Sequence, residues 1–300
     1  MSLEAIRVHN NWEERALLQQ TADERRWRAA LFAVVCSFLL AIFVRNLSVV
    51  PHIRRLLVDG AAFSLYLTVG AWSNGPPGWR RGLIYCCIYA VLVTGILLGA
   101  MIIQQATSIS DSYARVGLAL SWSMMIVPSW VVLGYGLLRH PSEALGRGLG
   151  AAWWMRAVVW GLFGGMFVTL YLGLSAYFSG LVLTRLQIPT LVFAHQLVYV
   201  LGIRCTGEEL LFRGAVFQIL HDRHGKGFWA ATTVSLPLNL GIYIATMPSF
   251  RSPAMLALLL LAPSVMIITN SALYVRQRSL VSPLVSNGLL HVASLAVGAQ

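Results

Sequence analysis

Thr206-Gly207-Glu208-Glu209-Leu210-Leu211-Phe212-Arg213-Gly214 decides how this chain is read. Two carboxylates and a guanidinium fall within six residues of one another, inside a run apolar and long enough to form a membrane helix. At the centre of a bilayer each such group costs about 2.5–3.5 kcal/mol unless it is paired or wetted. Leucine at these positions would cost nothing of the kind. Ionisable groups kept at that expense mark a functional site by default.

Working outward, the whole chain is oily. It has 300 residues, 57% hydrophobic and 11% charged, against roughly 25% charged in an ordinary soluble domain. Apolar runs recur from end to end, which indicates a polytopic membrane protein and not a soluble domain with an anchor. The net charge of +11 does not point to nucleic acid. Its basic residues sit in short loops beside apolar runs, where topology signals are placed, so no nucleic-acid partner is expected. All basic residues but Lys226 are arginine, a skew that suggests a GC-rich bacterial source. Cys36, Cys86, Cys87 and Cys205 lie in or beside apolar stretches with no metal-type spacing, and read as small buried hydrophobes. No cleavable signal peptide is evident. Residues 1–28 hold Glu4, Glu13, Glu14, Asp23 and Glu24 with five arginines, and read as a short cytoplasmic helix.

Runs long enough to cross a bilayer lie near 29–47, 56–73, 82–103, 116–138, 157–183, 190–220, 228–247, 253–274 and 280–298. The expected fold is therefore all-α, a bundle of about eight or nine transmembrane helices. It divides into the charged segment 1–28, the N-terminal membrane helices 29–189, and a core at 190–300 that carries the polar site. With the N-terminus inside, cytoplasmic segments hold 14 of the basic residues and outside segments 6. That bias sets a cytoplasmic N-terminus, and the expected location is a bacterial inner membrane. Pro263 should kink the eighth run. Gly161, Gly164, Gly165 and Gly173 suggest close helix packing in the fifth.

Within the sixth run, Glu209 and Arg213 are four residues apart, about 40° around a helix and about 6 Å along it. An ion pair between them is easy. Glu208 points about 100° away from Glu209 and is free to face something else. One carboxylate is thus fixed by an arginine, and the other is available as a base. The seventh run places Ser235, Asn239 and Tyr243 at four-residue spacing, and the ninth carries Ser286, Asn287 and His291. Singly, such residues are interhelical hydrogen-bond partners. Together with Glu208 they can line a wet cavity.

The order Glu-Glu-x-x-x-Arg, then a helix from Phe228-Trp229-Ala230-Ala231 through Ser235 to Tyr243, then Ser282 to His291, resembles the CPBP family over roughly residues 190–298. These are the CAAX-processing and bacteriocin-processing intramembrane proteases, also called the abortive-infection family. Two motifs depart from the family pattern. Its Phe-x-x-x-His is Asn239 and Tyr243 here, and its His-x-x-x-Asn is Asn287 and His291 in exchanged order. The resemblance implies that Glu208 activates water, that Glu209 and Arg213 support it, and that Tyr243, Asn287 and His291 fill the remaining positions. Tyr243 and Asn287 can each donate to an oxyanion, a contribution of about 3–4 kcal/mol for one good donor. A two-histidine zinc site is hard to build from these residues, so no cofactor is expected and the glutamate route is metal-free. His195, His221, His224, His9, His52 and His140 lie far along the chain or in tails and loops.

The function expected is a glutamate-dependent endopeptidase. It cuts a protein or peptide substrate that carries a membrane-embedded or lipid-modified segment. The alternative is a pseudoprotease, a membrane-peptide binding or scaffold subunit that does not cut, and the replaced histidines favour it. A transporter would need paired broken segments, and none stands out.

Overall fold

The computed structural model describes residues 3–45, 62–63, 65–70, 72–73, 151–178, 183–185, 197, 200–246 and 253–299. Five long helices dominate: α1 (Leu3–Arg45), α2 (Ala151–Phe178), α3 (Phe228–Thr246), α4 (Pro253–Gln277) and α5 (Val281–Ala296). Between α2 and α3 runs a helix of unusual pitch, called here the site helix. The other regular structure among the described residues is one short antiparallel pair, β1 (Leu183–Arg185) with β2 (Val297–Ala299), in the register Leu183–Ala299, Thr184–Gly298 and Arg185–Val297. The fold is all-helical in class, as the apolar runs require.

Several predicted boundaries move. The charged residues 1–28 do not form a separate helix, because α1 continues unbroken from Leu3 to Arg45. Helix α4 likewise runs through Pro263, and α3 through Pro237. The predicted runs 82–103 and 116–138 lie outside the described residues, and 56–73 lies partly so. Among the described residues, Leu18–Phe43 and Ala152–Ser175 are long and apolar enough to cross a membrane.

Those two helices turn many large apolar side chains outward. Leu31, Phe32, Leu39 and Phe43 on α1, and Phe163 and Leu170 on α2, are exposed. The interior holds charged and amide side chains among its apolar ones, with Glu208, Glu209, Asn239, Asn270 and Asn287 fully buried. A buried polar group is the informative observation in any fold, and here it coincides with contiguous apolar surface.

Small residues make the closest crossings. A Cβ on Gly161 would lie 2.6 Å from Val285 Cβ, and one on Gly165 would lie 2.9 Å from Leu289 Cβ, so α2 and α5 meet nearly backbone to backbone. Gly164 faces Leu273 in the same way, whereas Gly173 meets nothing within 4 Å. Ser282 Oγ locks the crossing by donating to Ala157 O at 2.8 Å. A second close contact sets the site helix against the helical residues within 62–73. A Cβ on Gly207 would lie 2.7 Å from Phe63 O, and one on Gly70 would lie 2.7 Å from Leu210 Cβ. Around these contacts Phe63, Tyr66 and Phe212 stack edge to face.

The predicted sixth run does not form a uniform α-helix. Val200–Cys205, Glu209–Phe217 and Ile219–Arg223 are wide turns with i→i+5 bonding, and Thr206–Glu208 is a single α-helical turn between the first two. Thr206 supports the wide pitch by donating its hydroxyl to Leu201 O at 2.7 Å. Such turns are rare and concentrate at functional sites. The helix ends at Gly225, whose φ of 61° only glycine adopts without cost. The chain then reverses into α3, which brings Tyr243 back beside Glu208.

Candidate functional site

The site lies where α3, α4 and α5 close on the site helix. All six residues singled out in the sequence come together there. Glu208 accepts from Tyr243 Oη at 2.5 Å on one oxygen, and from Asn287 Nδ2 at 2.9 Å on the other. The same Asn287 amide also donates to Glu209 Oε1 at 2.9 Å, so one NH2 group bridges both carboxylates. Arg213 sits 3.3 Å from Glu209 Oε1 and donates a second arm to Ile267 O at 3.1 Å. His291 Nε2 lies 3.9 Å from Glu208 Oε2.

Burial makes these contacts count. Glu208, Glu209 and Asn287 are 0% exposed, and Arg213 is 1% exposed. A carboxylate taken from water without partners carries a penalty of several kcal/mol, and charge-assisted hydrogen bonds are the strong kind. Glu209 Oε1 accepts two hydrogen bonds, from Asn287 and from Asn270 Nδ2 at 2.8 Å, beside its ion pair with Arg213. The predicted pairing of Glu209 with Arg213 is present. Glu208 differs from expectation, since both of its oxygens are already engaged. It keeps lone pairs for a further proton, because a carboxylate offers about four acceptor sites.

The donors also differ from expectation. Tyr243 and Asn287 were read as candidates to face an oxyanion, but both aim their protons at carboxylates. In this arrangement they hold Glu208 in place. Asn239, on the same face of α3 as Tyr243, is fully buried, and among the described residues neither of its amide atoms has a hydrogen-bond partner. Ser286 Oγ is buried in the same condition. Ser235 Oγ reaches Thr232 O at 3.3 Å.

Two members were not singled out in the sequence. Asn270, in the middle of α4, was hidden among apolar neighbours. Arg204 lies four residues before Glu208, as Arg213 lies four after Glu209, so the site helix reads Arg-x-x-x-Glu-Glu-x-x-x-Arg. That mirrored spacing was the available signal. The Arg204 guanidinium carbon stands 4.9 Å from the Phe63 ring centre and 5.4 Å from that of Tyr243.

The donor set does not suit a zinc ion. Among the described residues His291 is the single imidazole near the carboxylates, Tyr243 and Asn287 already spend protons on Glu208, and the Arg213 cation stands beside Glu209. His221 is remote and pairs with Lys226 O at 2.9 Å, and His224 is exposed. His52, His140 and His195 lie outside the described residues.

A separate polar cavity of about 1150 Å³ opens at the far end of the site helix, lined by Asp23, Trp27, Trp153, Asp222, Arg223 and Arg278 among others. Its charges are tied across helices. Arg223 donates to Asp23 at 2.8 Å, joining α1 to the site helix. Asp222 accepts from Arg278 and from Tyr274 Oη, joining the site helix to the end of α4. Comparison of the chain with family models, with curated proteins and with solved structures finds no match.

Proposed function

We propose that this chain is a divergent glutamate-dependent intramembrane endopeptidase, housed in a polytopic bundle of about eight or nine membrane helices with a cytoplasmic N-terminus. The observation that carries the reading is Glu208. It is a fully buried carboxylate held from two sides by Tyr243 and Asn287 within a bundle whose long helices turn apolar side chains outward. Burial and fixed donors are how a side chain is preorganised as a general base.

The chemistry is a balanced water addition. Glu208 takes a proton from water as the water oxygen bonds to the scissile carbonyl carbon. The tetrahedral intermediate then collapses, the carbon–nitrogen bond breaks, and Glu208 returns the proton to the leaving nitrogen. Glu209 stays charged beside Arg213 and keeps Asn287 in position. The substrate is a peptide or protein with a membrane-embedded or lipid-modified segment, and a bacterial inner membrane is the proposed location.

A pseudoprotease is the second reading. The observation in its favour is that Tyr243 and Asn287 both point at Glu208, which leaves no neutral donor of the pair for an oxyanion. Full-length protein in lipid vesicles, given a panel of membrane-spanning and lipid-modified peptides, separates the two. The endopeptidase reading expects cleavage that Glu208→Gln lowers by about 10²–10⁴-fold with an unchanged unfolding midpoint. Cleavage that survives Glu208→Gln removes Glu208 from the chemistry. Peptide binding without any cleavage by the unaltered protein establishes the pseudoprotease.

A further inference from the structure

We propose that Arg204 is a positioning residue of this site, which holds the Tyr243 hydroxyl from outside the carboxylate cluster and thereby commits its single proton to Glu208. The proposal deepens the hydrolase reading and rests on it for its kinetic arm alone.

Hydrogen-bond arithmetic supports it. An arginine side chain carries only donors, and a tyrosine hydroxyl has one proton and two lone pairs. The Tyr243 proton is directed to Glu208 Oε1 at 2.5 Å. Its oxygen can still accept, and the Arg204 guanidinium, whose carbon stands 5.4 Å from the Tyr243 ring centre, is the donor placed to supply that bond. With a pure donor on one side and a carboxylate on the other, the hydroxyl has one satisfied orientation. Without Arg204 it can turn away from Glu208 to another acceptor.

Packing fixes the guanidinium in that position. Arg204 lies between the rings of Phe63 and Tyr243, at 4.9 and 5.4 Å from their centres, a geometry in which a planar cation is attracted to both faces. Gly207, one turn on, lets the segment bearing Phe63 approach to backbone distance, so the stack is built by a close crossing and not by a mobile surface side chain. Arg204 is partly exposed whereas Arg213 is buried. The two arginines therefore do different work. Arg213 neutralises Glu209 from within, and Arg204 orients Tyr243 from the rim.

The test uses full-length protein in nanodiscs with 3-fluorotyrosine at position 243. In Arg204→Gln the fluorine resonance is expected to shift from its position in the unaltered protein. In Arg204→Lys, which keeps the charge but not the planar fork, it moves partway. In Arg276→Gln, which removes the cation stacked on Trp160 at 3.9 Å, it stays. Kinetically, Arg204→Gln lowers kcat by about 10–100-fold with KM within about twofold, as loss of a transition-state contribution requires. Arg204→Lys recovers part of the rate. Adding Tyr243→Phe to Arg204→Gln costs nothing beyond Tyr243→Phe alone, because Arg204 acts through that hydroxyl. An unmoved resonance in Arg204→Gln, or single effects that simply multiply in the double variant, overturns the proposal. If the unaltered protein cuts no peptide, the hydrolase reading fails, and the fluorine resonance still decides whether Arg204 orients Tyr243.

Discussion

Arg213→Met should be among the most destabilising single changes this chain can suffer. Arg213 is 1% exposed, stands 3.3 Å from Glu209 Oε1 and donates to Ile267 O at 3.1 Å. Methionine matches much of its apolar stem, so little of the loss comes from packing. What remains is a fully buried Glu209 with its counter-charge gone and only the Asn270 and Asn287 amides to hold it. Removing one partner of a buried ion pair costs about 3–5 kcal/mol, because the other charge is left uncompensated. Glu209→Gln added to Arg213→Met removes that charge while keeping an oxygen for both asparagines, so the pair together should cost only about 1–2 kcal/mol. Arg276→Met serves as the control. Arg276 is exposed over Trp160, and such a cation–π contact contributes about 0.5–1 kcal/mol. The assay is equilibrium unfolding in mixed micelles for five proteins, the unaltered chain, Arg213→Met, Glu209→Gln, the double variant and Arg276→Met, which closes the double-mutant cycle. A cost under about 1 kcal/mol for Arg213→Met, or a double variant as unstable as the sum of its singles, would refute the claim that charge compensation governs this site.

Five other outcomes follow from individual positions. Tyr243→Phe removes the 2.5 Å donor to Glu208, and should lower peptide hydrolysis by about 1.5–3 kcal/mol of barrier, read as kcat with KM little changed. Asn270→Leu takes one of two hydrogen-bond donors from Glu209 and should cost about 1.5–3 kcal/mol in unfolding free energy, less than Arg213→Met because the counter-charge stays. Gly161→Val, whose Cβ would lie 2.6 Å from Val285 Cβ, should destabilise by about 1–3 kcal/mol. Gly173→Ala, with nothing within 4 Å, should be neutral or mildly stabilising in the same unfolding experiment. The paired change Asn287→His with His291→Asn gives α5 the His-x-x-x-Asn order of the pattern the chain resembles, and on the proposed hydrolase reading should raise hydrolysis in a peptide-cleavage assay. A flat response there counts against aligning α5 with that motif.

The all-helical class was legible because long apolar runs follow directly from composition, and among the described residues Leu18–Phe43 and Ala152–Ser175 are long and apolar enough to cross a membrane. The Glu209–Arg213 pair was legible because four-residue spacing places two side chains on one helix face at any position. What the chain did not disclose was pitch and partner choice. The wide turns of the site helix depend on packing against other segments, such as the crossing of Gly207 at Phe63 O and the Thr206 hydroxyl bond to Leu201 O. No local periodicity signals either. Asn270 was invisible for a related reason. Its relevance comes from a contact with Glu209 across 61 residues, and in sequence it is one amide in a long apolar helix.

Asn287 shows how a residue singled out in the sequence can make a contact the sequence did not indicate. Its position in the site follows from motif order, but an amide there has two plausible targets, a substrate oxygen or a carboxylate. The choice depends on how many acceptors surround it. Two adjacent glutamates supply up to about eight acceptor sites, and the nearest neutral donors are Tyr243 and the amides of Asn270 and Asn287. With acceptors in excess, each donor proton is drawn to a carboxylate. Any oxyanion partner must then come from outside those three side chains. That deficit makes Arg204, positioned at the rim on the ring of Tyr243, the residue whose replacement says most about how the site works.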